Sequence, residues 1–179
     1  WVLQYDFACE APASYDPNVP KTVPRSLSAA VEFSTDNRII HRVTNTDNNG
    51  YGDFEVYDGV AKVYRVVFSN LIPFDSDVST TPVVSHVTFT GHADGSNPVY
   101  DVTLTTGSGT YTATDFAYYH YANDGARLVT AGAAGCSFNT FNSTGDFLVD
   151  NVSLTVPEPG ILVLLTCGMM CLVAMRRRD

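Results

Sequence analysis

Residues 83–90 read Val-Val-Ser-His-Val-Thr-Phe-Thr. Val83, Ser85, Val87 and Phe89 fall on one face, and Val84, His86, Thr88 and Thr90 on the other. That is the period of two expected of a half-buried strand. Valine, threonine and phenylalanine are the residue types that fill such a pleat well. Forward of this stretch, Gly91–Asn97 contains Asp94-Gly95 and reads as a turn. Val99–Thr105 repeats the alternation with Tyr100, Val102 and Leu104 inward. Gly107-Ser108-Gly109 makes a tight hairpin, and Tyr111–Tyr121 continues at period two. Neighbouring strands joined by such short turns run antiparallel.

The same grammar extends in both directions. Upstream, Trp1–Ala8, Arg25–Ser34, Asn37–Thr44 and Ala61–Leu71 read as strands, with Phe54–Tyr57 a short one. Glu10–Pro24 holds four prolines and Asn45–Asp53 is rich in Asn, Asp and Gly, so both read as loops, as does Pro73–Thr81. Downstream, Arg127–Thr130, Cys136–Phe141 and Asp146–Thr155 complete the set. About ten short strands punctuated by Gly, Pro, Asn and Asp predict an all-β domain over residues 1–155. The architecture expected is an antiparallel two-sheet sandwich, with a jelly roll as first choice and a concanavalin-like sandwich as second.

Residues 156–179 follow a different grammar. Val156-Pro157-Glu158-Pro159-Gly160 stops any regular element, because proline fixes φ and lacks an amide hydrogen. Ile161–Met175 carries no charge, and Arg176-Arg177-Arg178-Asp179 follows. Fifteen residues at about 1.5 Å each make a helix of roughly 22 Å. This is short beside the about 20 residues that usually span a bilayer. The expectation is one short C-terminal transmembrane helix, held with Arg176, Arg177 and Arg178 inside and the body outside. Cys167 and Cys171 on this helix read as small packing residues.

The order of these three parts resembles the PEP-CTERM sorting signal of Gram-negative bacteria: motif 156–160, hydrophobic helix 161–175, basic end 176–179. The resemblance implies that Pro157, Glu158 and Pro159 are recognised by an exosortase, a membrane transpeptidase-like enzyme. It also implies a cell-surface or extracellular-matrix destination, with the membrane a transient partner. The chain begins at Trp1 with neither Met nor an apolar leader, so export is read from the tail alone.

Composition agrees with an exported β protein. Charged residues make up 16% and the aromatic share is 12%. Setting aside Arg176–Asp179, the ten basic and 19 acidic residues become seven and 18, a net charge of −11. Nucleic acid needs a basic surface and is excluded as a natural partner. In an oxidising compartment Cys9 and Cys136 are candidates for one disulfide between an early and a late strand, the alternative being two buried thiols.

The last strand, Gly145–Leu154, is similar to the closing strand of carbohydrate-binding jelly rolls of the galactose-binding-like superfamily, where an aromatic-aliphatic run leads to an acidic residue. The resemblance implies that Asp150 helps hold a structural calcium, with Asp6 as its partner near the first strand. A carboxylate on a strand between apolar neighbours also needs a partner on physical grounds, and calcium accepts such oxygens. The alternative is an edge carboxylate that is solvated or bonded to backbone.

Tyr119 and Tyr121 share one side of a strand, Tyr118 and His120 the other. Aromatic faces stack on pyranose rings, which makes Tyr119 and Tyr121 the candidate glycan contacts and an extracellular polysaccharide the candidate partner, with core or surface packing of all four side chains as the alternative. The loop 46–53 superficially resembles an EF-hand but lacks the terminal Glu and flanking helices, so a plain Asn-Gly turn is preferred. His41, His86, His92 and His120 show no metal-ligand spacing. No nucleophile elbow or phosphate loop is present. Glu32 and Glu55 are the pair a glycosidase would need, but their apolar neighbours make exposed strand positions the preferred reading. The function expected is therefore a non-enzymatic, exported matrix or surface protein that binds glycan. A glycan-cleaving enzyme and a ligand-free structural protein are the alternatives.

Overall fold

Every regular element of the computed structural model is a β-strand; it describes residues 1–12, 25–32, 37–45, 49–94, 97–120, 135–139 and 145–155. The tail 156–179, the stretch 121–134 and Tyr121 lie outside the described residues. Among the described residues no helix is long and apolar enough to cross a membrane.

The strands are β1 (Val2–Glu10), β2 (Arg25–Glu32), β3 (Asn37–Thr44), β4 (Tyr51–Asp58), β5 (Val63–Asp75), β6 (Ser85–Asp94), β7 (Asn97–Thr106), β8 (Gly109–Ala117), β9 (Tyr119–His120), β10 (Gly135–Asn139) and β11 (Phe147–Thr155). Hydrogen bonding links nine of them in the order β10-β2-β3-β4-β5-β1-β6-β7-β8, with β11 beside β1 and β9 beside β3. Among the described residues all pairings are antiparallel but one. β1 and β5 run parallel where Cys9 meets Phe74 and Glu10 meets Asp75. β6 leaves β1 at Phe7, and β5 takes up the vacated edge.

The sheet is therefore mixed and continuous, where two separate antiparallel sheets were expected. It still folds back on itself. Tyr5, Phe7 and Phe89 of the β1/β6 half meet His41 and Phe54 of the β3/β4 half at ring-centroid distances of 4.9–6.3 Å. Leu3, Val87, Tyr100, Val102 and Leu104 join Leu27, Ile39, Val43, Val56 and Ile72 in one buried cluster. Fully burying each such side chain contributes about 1.5–3 kcal/mol. The connections differ from a jelly roll: β2-β3-β4-β5 and β6-β7-β8 each run between spatial neighbours, two meanders instead of crossing Greek keys.

The alternation read at 83–90 decides the faces. Ser85, Val87 and Phe89 are buried, and His86, Thr88 and Thr90 point away from the core. Tyr100, Val102 and Leu104 point inward on β7, leaving Asp101, Thr103 and Thr105 outward. At Tyr118 the chain leaves β8 and crosses to the other half. Tyr118 plugs the core, its hydroxyl donating to the Val99 carbonyl at 3.4 Å. Gly59 makes the crossing possible: a Cβ there would lie 1.7 Å from the Tyr118 carbonyl oxygen.

Cys9 is a free thiol, buried inside β1. Burial pushes this thiol up to about 12 against a hydrogen bond from Ser26 that favours the thiolate. Cys136 lies on β10 opposite Val31 of β2, and its side chain lies outside the described residues.

Candidate functional site

The outward face of the β11-β1-β6-β7-β8 half is polar and hydroxyl-rich. Thr103 and Thr112 share a hydrogen bond at 3.0 Å, as do Thr105 and Thr110, both across β7 and β8. Two imidazole–carboxylate pairs bound this face, both built on β6.

At one end, His86 Nδ1–H donates to Asp6 Oδ1 at 2.5 Å, from β6 to β1. Asn151 Nδ2–H donates to Asp6 Oδ2 at 2.7 Å, from β11. Asn151 reaches Asp6 because β11 is irregular there: register shifts between Gln4 and Asp6, and Asn151 has φ +53°. Thr88 lies 3.3 Å from His86 Nε2 and completes the set. The Asp6 carboxyl is held below its ordinary value, first by the Asn151 hydrogen bond and then by His86.

Asp150 is directly opposite Asp6 in the ladder, as the calcium reading requires. Its side chain does something else: Oδ1 accepts the Asn151 N–H at 2.7 Å. Calcium takes about six to eight oxygen ligands. Both Asp6 oxygens accept from N–H donors, Oδ1 from His86 and Oδ2 from Asn151. His86 and Asn151 were missed from sequence, being 80 and 145 residues from Asp6.

At the other end, His92 Nε2–H donates to Asp101 Oδ1 at 2.9 Å, from β6 to β7. Asp115 of β8 supplies the third group. It sits at an irregularity opposite Tyr100/Val102, with φ +66°. Its backbone N–H donates to Asp101 Oδ1 at 3.0 Å, and its carboxylate lies 4.0 Å from His92 Nε2. One atom from each of His92, Asp101 and Asp115 lies within 4.8 Å of the others.

The opposite face of the molecule carries an aromatic row. Tyr57 of β4 stands perpendicular to Tyr64 of β5 at 5.1 Å and to Tyr119 of β9 at 5.0 Å. All three are half-buried. Tyr119 is there because the Tyr118 crossing delivers β9 to β3, where Tyr119 pairs with Arg38. The Arg42 guanidinium lies 3.7 Å from the Tyr64 ring centroid, a cation–π contact. Desolvation raises the Tyr64 hydroxyl, with Arg42 and Arg25 opposing it.

Beneath this row, Arg42 Nε donates to Glu55 Oε2 at 2.5 Å and Thr44 Oγ1 to Glu55 Oε1 at 3.1 Å. Glu55 is buried, not exposed as its alternation suggested: Arg42 pairs with it, and the Arg42 guanidinium packs against Tyr64. With both oxygens engaged, Glu55 is a structural ion-pair partner. The Glu32 side chain lies outside the described residues.

The chain matches no protein-family model, no curated protein and no solved structure.

Proposed function

We propose that the protein is an exported, exosortase-processed surface or matrix component whose β-sandwich body binds glycan without chemistry. The observation that supports binding is the row Tyr64–Tyr57–Tyr119, three half-exposed rings from three strands, 5.0–5.1 Å apart. The exposed parts of these rings offer aromatic carbon to sugar C–H groups, and their phenolic hydroxyls can bond to sugar hydroxyls. Export and sorting rest on Pro157-Glu158-Pro159, the apolar run 161–175 and Arg176–Arg178.

Retention on immobilised extracellular polysaccharides and on a glycan array tests the binding. The wild-type chain is expected to be retained, with Tyr119→Ala and Tyr57→Ala each weakening retention about tenfold, the size of one lost stacking contact. No retained glycan, or retention unchanged in both variants, overturns the reading. Replacing Pro157-Glu158-Pro159 by alanines should leave the protein uncleaved in the inner membrane; normal processing would overturn the sorting.

A further inference from the structure

We propose that His92, Asp101 and Asp115 form a surface site for a divalent first-row metal ion, zinc being the ion the donor set suits. The donors come from three consecutive strands, so the antiparallel ladder β6-β7-β8 fixes their spacing. Two ligand atoms each about 2.1 Å from one tetrahedral zinc ion lie about 3.4 Å apart. The Nε2–Oδ1 separations here, 2.9 Å to Asp101 and 4.0 Å to Asp115, bracket that spacing, and all three ligand atoms lie within 4.8 Å of one another. An ion thus replaces the Nε2–H···Oδ1 hydrogen bond with only small side-chain movement. A ring nitrogen among the ligands selects zinc and its neighbours over calcium or magnesium, which take oxygen.

Charge balance points the same way. Two carboxylates converge on one imidazole, and neither Asp101 nor Asp115 meets a Lys or Arg among the described residues. The pair at the other end of β6 supplies an internal control. It repeats the plan of strand histidine, neighbouring aspartate and a third residue from a positive-φ irregularity, but there the third residue is Asn151. An amide N–H fills the second oxygen of Asp6. A carboxylate at the equivalent place, Asp115, has no proton to give, and its Oδ1 lies 4.0 Å from His92 Nε2. Half-exposed Asp101 and exposed Asp115 leave the remaining coordination positions to water.

Calorimetric titration of the chelator-stripped 179-residue chain with zinc chloride tests the site. The decisive variant is Asp115→Asn, which converts this end into a copy of the other. Asp77→Asn, an exposed carboxylate elsewhere, controls for charge. Because Cys136, Cys167 and Cys171 are also zinc-binding side chains, the difference between the two variants reads the site, not total zinc. Asp115→Asn is expected to remove one bound equivalent or weaken it at least tenfold, with an unchanged melting temperature in chelator showing an intact fold. Asp77→Asn should bind as wild type does. Equal zinc binding by both variants, or tighter binding of calcium than of zinc at this site, overturns the proposal.

Discussion

His86 and His92 lie on the same outward face of β6, and each is bonded to an aspartate of a neighbouring strand. They nevertheless make opposite sites. Around His86 every strong acceptor has a donor: Asp6 takes hydrogens from His86 and Asn151. Around His92 two carboxylates share one imidazole. The backbone device is the same at both ends, a positive-φ residue that swings a side chain over the sheet. A single NH₂ or O⁻ at the third position separates a closed hydrogen-bond network from an open cation site. Sheet scaffolds can thus carry paired sites whose chemistry diverges by one atom while the fold stays fixed.

A third imidazole marks the limit of the comparison. His41 is fully buried between Phe54 and Phe89, bonded through Nε2 to the Tyr5 hydroxyl, with Nδ1 unpaired. Among the described residues no carboxylate supports it, and burial depresses it to about 3. A base with a lowered folded value contributes full stability above its unfolded value of 6.5, lost as pH falls toward 3. The largest effect expected is therefore here: acid destabilisation on the order of a few kcal/mol across that window. The double variant Tyr5→Phe/His41→Leu should flatten the plot of melting temperature against pH. An equally steep fall in the variant would show that other groups, the surface pairs included, carry the acid response.

The next effect comes from exchanging the two third residues. Asn151→Asp should open the Asp6–His86 end and add one zinc equivalent, more than tenfold above the wild-type affinity there. If zinc binding does not change, the third residue is not what distinguishes the two ends. The same variant without metal should lose about 1 kcal/mol, through one lost hydrogen bond and two facing carboxylates. Chelator-treated melting curves measure it, and an unchanged midpoint would show the Asn151 bond to be energetically idle.

The smallest effect is the pH response of Asp6 itself. Its folded value lies below 3.8, so it stabilises above that value and the contribution fades as pH falls through the folded one. Asp6 is solvent-screened, and a few tenths of a kcal/mol is the scale expected. Asn151→Ala should move the Asp6 carboxyl resonance titration upward. A titration that stays in place would assign the shift to His86.

How much of this was legible in the sequence varies along the chain. The strands from β6 to β8 were, because a period of two joined by Asp-Gly and Gly-Ser-Gly turns is a local signal. The stretch Pro73–Asp75, read as loop, is the end of β5 because Cys9 and Glu10 offer it a parallel partner more than sixty residues away in sequence. Tyr51–Asp53, also read as loop, belongs to β4 for a similar reason, pairing with Ile72 and Pro73. Tyr119 was legible as a candidate, but Tyr57 and Tyr64 were not, since only the β8-to-β9 crossing brings the three together.

The residues by themselves determined an acidic, all-β body with specified inward and outward faces, and a proline-bounded, arginine-ended terminus. Those properties follow from side-chain period, turn chemistry and charge, which act over a few residues at a time. The tertiary structure decided which outward groups meet: Asp6 with Asn151 instead of Asp150, and His92 with Asp101 and Asp115. The physical reason is that sheet order and strand irregularity are settled by burying the aromatic core around Tyr5, Phe54 and Phe89. Partners on the outer surface follow from that packing, across separations that no local pattern encodes.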